Sequence, residues 1–470
     1  MGMLLHATGF SYSSLSDGTH SNYYTDHSPA AFPAEFICGA TMGDIEKSAG
    51  QPDSFSVIAK EGYEDITAST SAVPSDIGEV HPTSKLALWG SRFRRWADRV
   101  GAEATGIERV PESHRTDQNP RDLFGLYMSP NISIAAVAFG TIAPGTYGLG
   151  FWDSFLCLLF FNVIGTFPVA LLSTMGPKLG MRTMVIPRYS FGWWPAKLIA
   201  ILNIANQIGW AMVNAVTGGQ LLYSVGNGTL PQSIAVLILS LIALIVGLFG
   251  HRVVLTFERY AWMVTLVCLC IIAGLGAKHF VDVPMGAGTL EVSSILSYAT
   301  AIIGFQLTWA PIAADYGVYM RETTNPWKPF WWTMSGLFCG PFFVELLGVA
   351  LMTTVRSGNP AFSAAYNSAG TGGLIGQCFE GHGPGLRGFG EFIRVVLSFS
   401  VLGGVITNVY SLGLSVQVVS DTFMKVPRLI WSLLGGAIFT AAAVAGRDHV
   451  EEVMSNFLNI MAYVRLPCCF

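Results

Sequence analysis

Charge is scarce in this sequence. Asp, Glu, Lys and Arg make up 12% of its 470 residues against 51% hydrophobic, which argues against a water-soluble domain, and no basic patch offers a face to nucleic acid. Paired zinc-ligand spacing is absent too. The eight cysteines, of which Cys157, Cys268, Cys270 and Cys339 lie inside apolar runs, read as small hydrophobes. No nucleophile–base pair and no metal-ligand motif stands at a recognisable spacing, so neither an enzyme nor a metal or cofactor is expected. The first ten residues lack a charged n-region and a long apolar core, so no signal peptide opens the chain.

What the sequence does have is a series of apolar runs near 20 residues long, the length that crosses a bilayer as a helix. We place spans near 127–147, 152–175, 195–224, 232–250, 254–276, 295–318, 330–354, 391–420, 428–446 and 451–464, giving an all-α polytopic membrane protein of about ten spans. Lys178, Arg182, Arg188 and Lys197 follow span 2, and Arg252, Arg259, Arg321, Lys328, Lys425 and Arg428 follow spans 4, 6 and 8. The alternate connections carry only Lys278, Arg356, Arg387 and Arg447, so the positive-inside rule puts the N-terminus in the cytosol. Residues 1–105 read as a tail: the first 80 are rich in Ser, Thr, Gly, Asp and Pro, and 85–100 form a basic amphipathic helix suited to a membrane surface.

Span 3 carries a polar stripe. Asn203, Gln207, Trp210, Asn214 and Gly218 recur at spacings of four, three, four and four, which is one face of one helix. Lipid cannot satisfy such a face, so it either bonds neighbouring helices or lines a cavity. Spans 1 and 6 are interrupted, by the run from Gly140 to Pro144 and Gly145, and by Trp309-Ala310-Pro311. Breaks at matching places in the two halves point to an inverted-repeat transporter with its site at the breaks. Three carboxyls stand in or near spans. Glu345 is central in span 7, and removal from water favours the protonated form of a carboxyl, which suits proton coupling. Glu258 and Asp315 lie close to Arg259 and Arg321 near span ends, where gating or structural ion pairs fit better. Span 8 adds Asn408, Tyr410 and Ser411. With Trp210, Asn214 and Trp309 they supply indole faces for a flat ring and amides for the edge of a heterocycle, so a neutral planar ligand such as a nucleobase fits.

The stretches ESHRTDQNPRDLFGLYMSPNISIAAVAFGTIAPGTYGLGFWDSF, GMRTMVIPRYSFGWWPAK, GWAMVNAVTGGQ, FGHRVVLTFERYAW, WAPIAADYGVYM and TNVYSLGLSVQ occur in that order. Together they resemble the fungal purine-cytosine permeases of the nucleobase-cation symporter family, from about Gly106 to Val464. The resemblance implies a leucine-transporter-type inverted repeat of five plus five helices in the plasma membrane, importing cytosine and purines with a proton as coupling ion. It also implies that Trp210 and Asn214 on span 3, Trp309 on span 6 and Asn408 on span 8 contact substrate, with Glu258 at the acidic position of span 5.

The chain departs from that pattern in span 8, where Gly404-Val405-Ile406-Thr407-Asn408 lacks two of the family's amides, and in span 1, where Ser133 is the hydroxyl nearest an expected serine. A vitamin-type substrate such as pyridoxine is the alternative these changes leave open. The tenth span runs into RLPCCF, and Met42 resembles a family start, so residues 1–41 and 465–470 are expected to be non-native. A shortened, non-transporting product is the second functional class.

Overall fold

The structure is a computed structural model that describes residues 106–115, 119–226, 229–248, 251–380 and 384–449, with Glu452, Met454 and Phe457 beyond them. At 247, 248 and 251–259 only the backbone is described. The expected amphipathic helix at 85–100, the two chain ends and most of the tenth span lie outside these residues.

Among the described residues the chain is helical and has no strand. Seven helices are long and apolar enough to cross a membrane. They are span 2 (Phe151–Leu179), span 3 (Trp193–Val225), span 5 (Tyr260–His279), span 6 (Thr289–Ile312), span 7 (Trp327–Arg356), span 8 (Pro384–Val419) and span 9 (Arg428–His449). Span 1 is a pair of helices, Asp122–Asn131 and Ile134–Gly145, bent by 59° at their junction, and span 4 is a shorter apolar helix, Gln232–Val246. Phe160, Ile164, Phe167, Leu198 and Val264 turn their side chains outward, which is tolerable where hydrocarbon covers them.

The break in span 1 is not where the glycines and Pro144 suggest. Gly140 and Pro144 lie inside the helix Ile134–Gly145, and the chain leaves helical geometry at Ile132 (ψ 73°) and Ser133 (φ −142°, ψ 163°). The physical reason is Pro130, which has no N–H to give the carbonyl of Leu126, so the ladder fails within the next turn. Ser133 restarts it, its carbonyl accepting from the amides of Ala136 and Val137 at 3.2 and 3.3 Å. Pro144 falls in the last turn of the second helix, where the lost bond only ends an element that was ending anyway.

Gly140 serves the packing. A Cβ at 140 would lie 1.9 Å from the carbonyl oxygen of Glu345, and one at Gly348 would lie 2.1 Å from that of Val137. Spans 1 and 7 therefore cross backbone to backbone.

Span 6 breaks where Trp309-Ala310-Pro311 puts it. Regular helix ends at Leu307, whose carbonyl Pro311 cannot serve. A 3₁₀ turn, Ala310–Ile312, follows. Span 8 is also divided, into Pro384–Ser398 and Val401–Val419. Ser400, in that gap, accepts the amide of Ile134 on its hydroxyl at 3.2 Å, so the start of the second helix of span 1 is held by the interruption in span 8.

A helix that hydropathy does not reveal joins spans 7 and 8. Pro360–Gln377 begins at Asn359, whose side chain accepts from the amides of Ala361 and Phe362. It kinks at Gly370, where φ is +55°. The kink rests on the Gln220 side chain at the far end of span 3, with a Cβ at 370 only 2.8 Å from its Oε1. The positive φ and the contact both require glycine there.

Candidate functional site

The polar stripe on span 3 divides along its length. Asn203 is buried and donates to the hydroxyls of Ser411 and Ser415 on span 8, at 3.2 and 2.8 Å. Gln207 donates to the Asn203 oxygen at 3.0 Å. This end of the stripe bonds helix to helix. Gly218, at the other end, lets Val401 and Leu239 approach.

Between them, Trp210 and Asn214 face a cavity. Its lining is Pro130, Asn131, Ser133, Ala135 and Ala136 from the span 1 break, Gln207, Trp210 and Asn214 from span 3, Phe305, Thr308, Trp309 and Ile312 from the span 6 break, and Gly404 and Asn408 from span 8. Five residues singled out in the sequence, Ser133, Trp210, Asn214, Trp309 and Asn408, thus come together from four spans. The cavity volume is about 40 Å³, on the scale of a few water positions. Among the described residues no Asp, Glu, Lys or Arg contributes to its wall.

Each wall has a local reason for its shape. Ser133 has extended backbone, and its hydroxyl does not cap the helix it precedes. The Trp210 indole is wedged edge-on against Phe305 (5.1 Å between ring centroids) and Phe457 (6.1 Å), and its N–H has no partner although buried. Asn214 donates one amide hydrogen to the Trp210 carbonyl at 2.9 Å, which leaves its oxygen and its second hydrogen for something else. A Cβ at Gly404 would sit 3.0 Å from that amide. Trp309, half-buried, meets Tyr127 edge-on at 5.8 Å. Tyr127 in turn donates to the Ala313 carbonyl at 2.9 Å, tying span 1 to the unwound part of span 6.

The carboxyls of Asp315 and Glu345 are elsewhere. Asp315 is buried on the side where the described chain begins, and its Oδ1 accepts from the amide of Thr183 at 2.6 Å. Arg182, fully buried in the same loop, donates to the Asp315 carbonyl at 3.1 Å and lies 5.9 Å from the Tyr410 ring centroid, while Arg428 stacks on Tyr410 at 4.3 Å. This cluster joins the loop after span 2 to spans 6, 8 and 9 beneath the cavity. Glu345 is outside the cavity, bonded to Asn162 of span 2. Glu258 lies on described backbone, but its side chain falls outside the described residues.

Asn131, Phe305 and Thr308 in the wall, and Asn162 and Gln306 around it, escaped the sequence reading, and Arg182 was read only as a basic residue of the loop after span 2. The signal for the two amides was available. An amide at mid-span is costly for the same reason as a carboxyl, and Asn162 and Gln306 stand in otherwise apolar runs.

Comparison with known proteins adds an independent line. Residues 109–463 match the family model described as permease for cytosine/purines, uracil, thiamine, allantoin. Purine-cytosine permease fcyB of Emericella nidulans is 38% identical over 79% of this chain and 73% of its own length. Vitamin B6 transporter TPN1 of Saccharomyces cerevisiae is 33% identical over 80% of this chain and 65% of its own length. Among solved structures, the nucleobase-cation-symport-1 family transporter Mhp1, closed with bromovinylhydantoin bound, superposes with a TM-score of 0.60 at 12% identity, over 78% of this chain and 80% of Mhp1. At that identity the likeness is one of fold: a leucine-transporter-type arrangement of two five-helix repeats.

Proposed function

We propose, from the premise that this chain belongs to the family of permeases for cytosine, purines, uracil, thiamine and allantoin, that it imports cytosine and purine nucleobases by proton symport across the plasma membrane. The observation that carries the substrate class is the wall of the cavity: two indoles, amides and hydroxyls, with no charged side chain among the described residues. A neutral flat ring can stack on Trp309 and Trp210 and exchange hydrogen bonds with Asn214 and Asn408, whereas a zwitterion would leave its charges unpaired there.

Alternating access follows from the broken spans. The spans 1 and 6 interruptions put backbone polar groups at the ligand, and rocking of the bundle that contains them would open the cavity first to one side and then to the other. The Arg182, Asp315 and Arg428 cluster is the inner closure in this reading, with the N-terminus cytosolic. Glu345 is the proton carrier. No enzymatic cofactor has a part in this.

A second reading, a vitamin such as pyridoxine, is favoured by Gly404. It presents no side chain to the cavity where an amide could have stood, so fewer groups read the edge of a nucleobase.

Uptake of labelled cytosine, adenine and pyridoxine, in cells lacking their own carriers and with pH and sodium varied, tests both. Saturable nucleobase uptake that rises from pH 8 to pH 5 and ignores sodium is expected. Saturable pyridoxine uptake alone would favour the second reading, and no saturable uptake despite surface expression would reject both. Trp210→Phe, which keeps the ring and deletes the unpartnered N–H, is expected to weaken nucleobase competition about fivefold, the size of one ordinary hydrogen bond. An unchanged inhibition constant would remove that N–H from the site.

A further inference from the structure

The side chain of Glu345 is fully buried at mid-span, and no cation pairs with it among the described residues. Its neighbours form a directed chain. Asn162 Nδ2 donates to Glu345 Oε2 at 2.8 Å, and Gln306 Nε2 donates to Asn162 Oδ1 at 2.5 Å and to the Leu337 carbonyl at 3.3 Å. Around this chain three buried polar atoms have no partner: Glu345 Oε1, Gln306 Oε1 and the Tyr298 hydroxyl. The other groups facing the carboxyl are few. Span 6 brings the Tyr298 phenol, span 2 brings Asn162 with the Cys157 thiol beyond the phenol, and span 1 brings backbone at Gly140.

An amide chain of this kind has two complete arrangements. With Glu345 ionised it can only accept, so Asn162 must point its NH₂ at the carboxylate and its oxygen at Gln306, as observed. With Glu345 protonated the carboxyl can donate. Asn162 then turns over, accepts that O–H on Oδ1 and gives Nδ2 to Gln306 Oε1, the acceptor that now stands orphaned. Of its two donated bonds Gln306 then keeps only that to Leu337, while its Oε1 accepts from Asn162.

Gln306 is also the last anchor before the break in span 6. The amide of Trp309, in the cavity wall, donates to the Gln306 carbonyl at 3.2 Å. Whatever moves Gln306 moves the residue on which a ring ligand would stack.

We propose that Asn162 and Gln306 are positioning residues that transmit the protonation state of Glu345 to Trp309, so that proton and ligand favour the same conformation of the span 6 break. The inference rests on the proton-symport reading and names the parts that would do the coupling. The proton is taken from water by the Glu345 carboxylate and returned to water after the opposite side opens, with no covalent step.

Two measurements test it. In reconstituted vesicles, the accumulation ratio of labelled cytosine under an inward proton gradient should fall to about one in Glu345→Gln. Asn162→Leu, which leaves the carboxyl in place, should flatten the pH dependence of KM while leaving kcat at pH 5 within about threefold. Hydrogen exchange of the purified full chain supplies a readout that needs no substrate. At pH 8, amides 306–310 and 312 of the parent and of Glu345→Gln should differ about tenfold in rate, the weight of one charge-assisted hydrogen bond, and they should converge at pH 5. Because variant and parent are compared at equal pH, intrinsic exchange chemistry cancels. Glu345→Gln that still concentrates cytosine with the parental pH profile, or exchange rates equal at both pH values, overturns the relay. A parent that carries no nucleobase at all would overturn the transport reading instead, and the exchange rates would still decide the relay.

Discussion

Asn214→Ala is expected to raise the dissociation constant for a nucleobase about 100-fold, the cost of leaving both partners of a buried hydrogen-bonding pair unserved. The side chain has one hydrogen committed to Trp210, and its remaining acceptor and donor match the alternating edge of cytosine or adenine. Alanine removes both at once without disturbing the helix, since alanine is the better helix former. Asn214→Asp is the sharper variant, because it keeps shape and acceptor but brings a negative charge to a wall with no charge to meet it among the described residues. Competition against labelled cytosine measures either. An inhibition constant for Asn214→Ala within twofold of the parent would take Asn214 out of the site.

Gly140→Val should have the largest effect on folding. Its Cβ would have to occupy space 1.9 Å from a backbone oxygen of span 7, and backbone on both sides leaves nothing flexible to yield. Overpacking where side chains can adjust costs about 1–3 kcal/mol; here at least about 3 kcal/mol is expected, seen as loss of monodisperse protein after mild heating. Gly348→Ala should behave similarly, because the contact is reciprocal. Gly125→Ala, with nothing within 4 Å of the added carbon, is the control and should melt with the parent. A Gly140→Val protein that also melts with the parent would mean that spans 1 and 7 do not cross as closely as described.

These two sites also show how legible the sequence was. Trp210 and Asn214 could be read because helical spacing places polar groups on one face whatever the partners are. The span 6 break could be read because Pro311 has no N–H to give the carbonyl of Leu307 and the polar Asp315 and Tyr316 follow one turn on. Span 1 offered two prolines, and spacing does not say which one breaks the helix. Pro130 does so because Ser133 restarts the helix on the amides of Ala136 and Val137 and Ser400 of span 8 takes the amide of Ile134, and that last partner lies 266 residues away. Gly140 looked like part of the break when its role was close approach. The helix Pro360–Gln377 was missed because its many small and polar residues dilute hydropathy, although Asn359-Pro360 is a standard helix start. The split of the stripe into helix glue and cavity wall depends on Ser411 and Ser415 of span 8, and a pattern within one segment cannot report its partners.

The small size of the cavity separates binding from transport. A site with room for a few waters accepts a ring only in a more open conformer, so measured affinity is the intrinsic affinity reduced by the fraction of molecules that are open. A compound that stacks in the open conformer but is too thick for the walls to close over escapes the second half of that cycle. It would occupy the site, compete with every substrate and never be carried. Analogues of increasing bulk should therefore divide into permeants and blockers at a threshold of thickness rather than of hydrogen-bonding pattern.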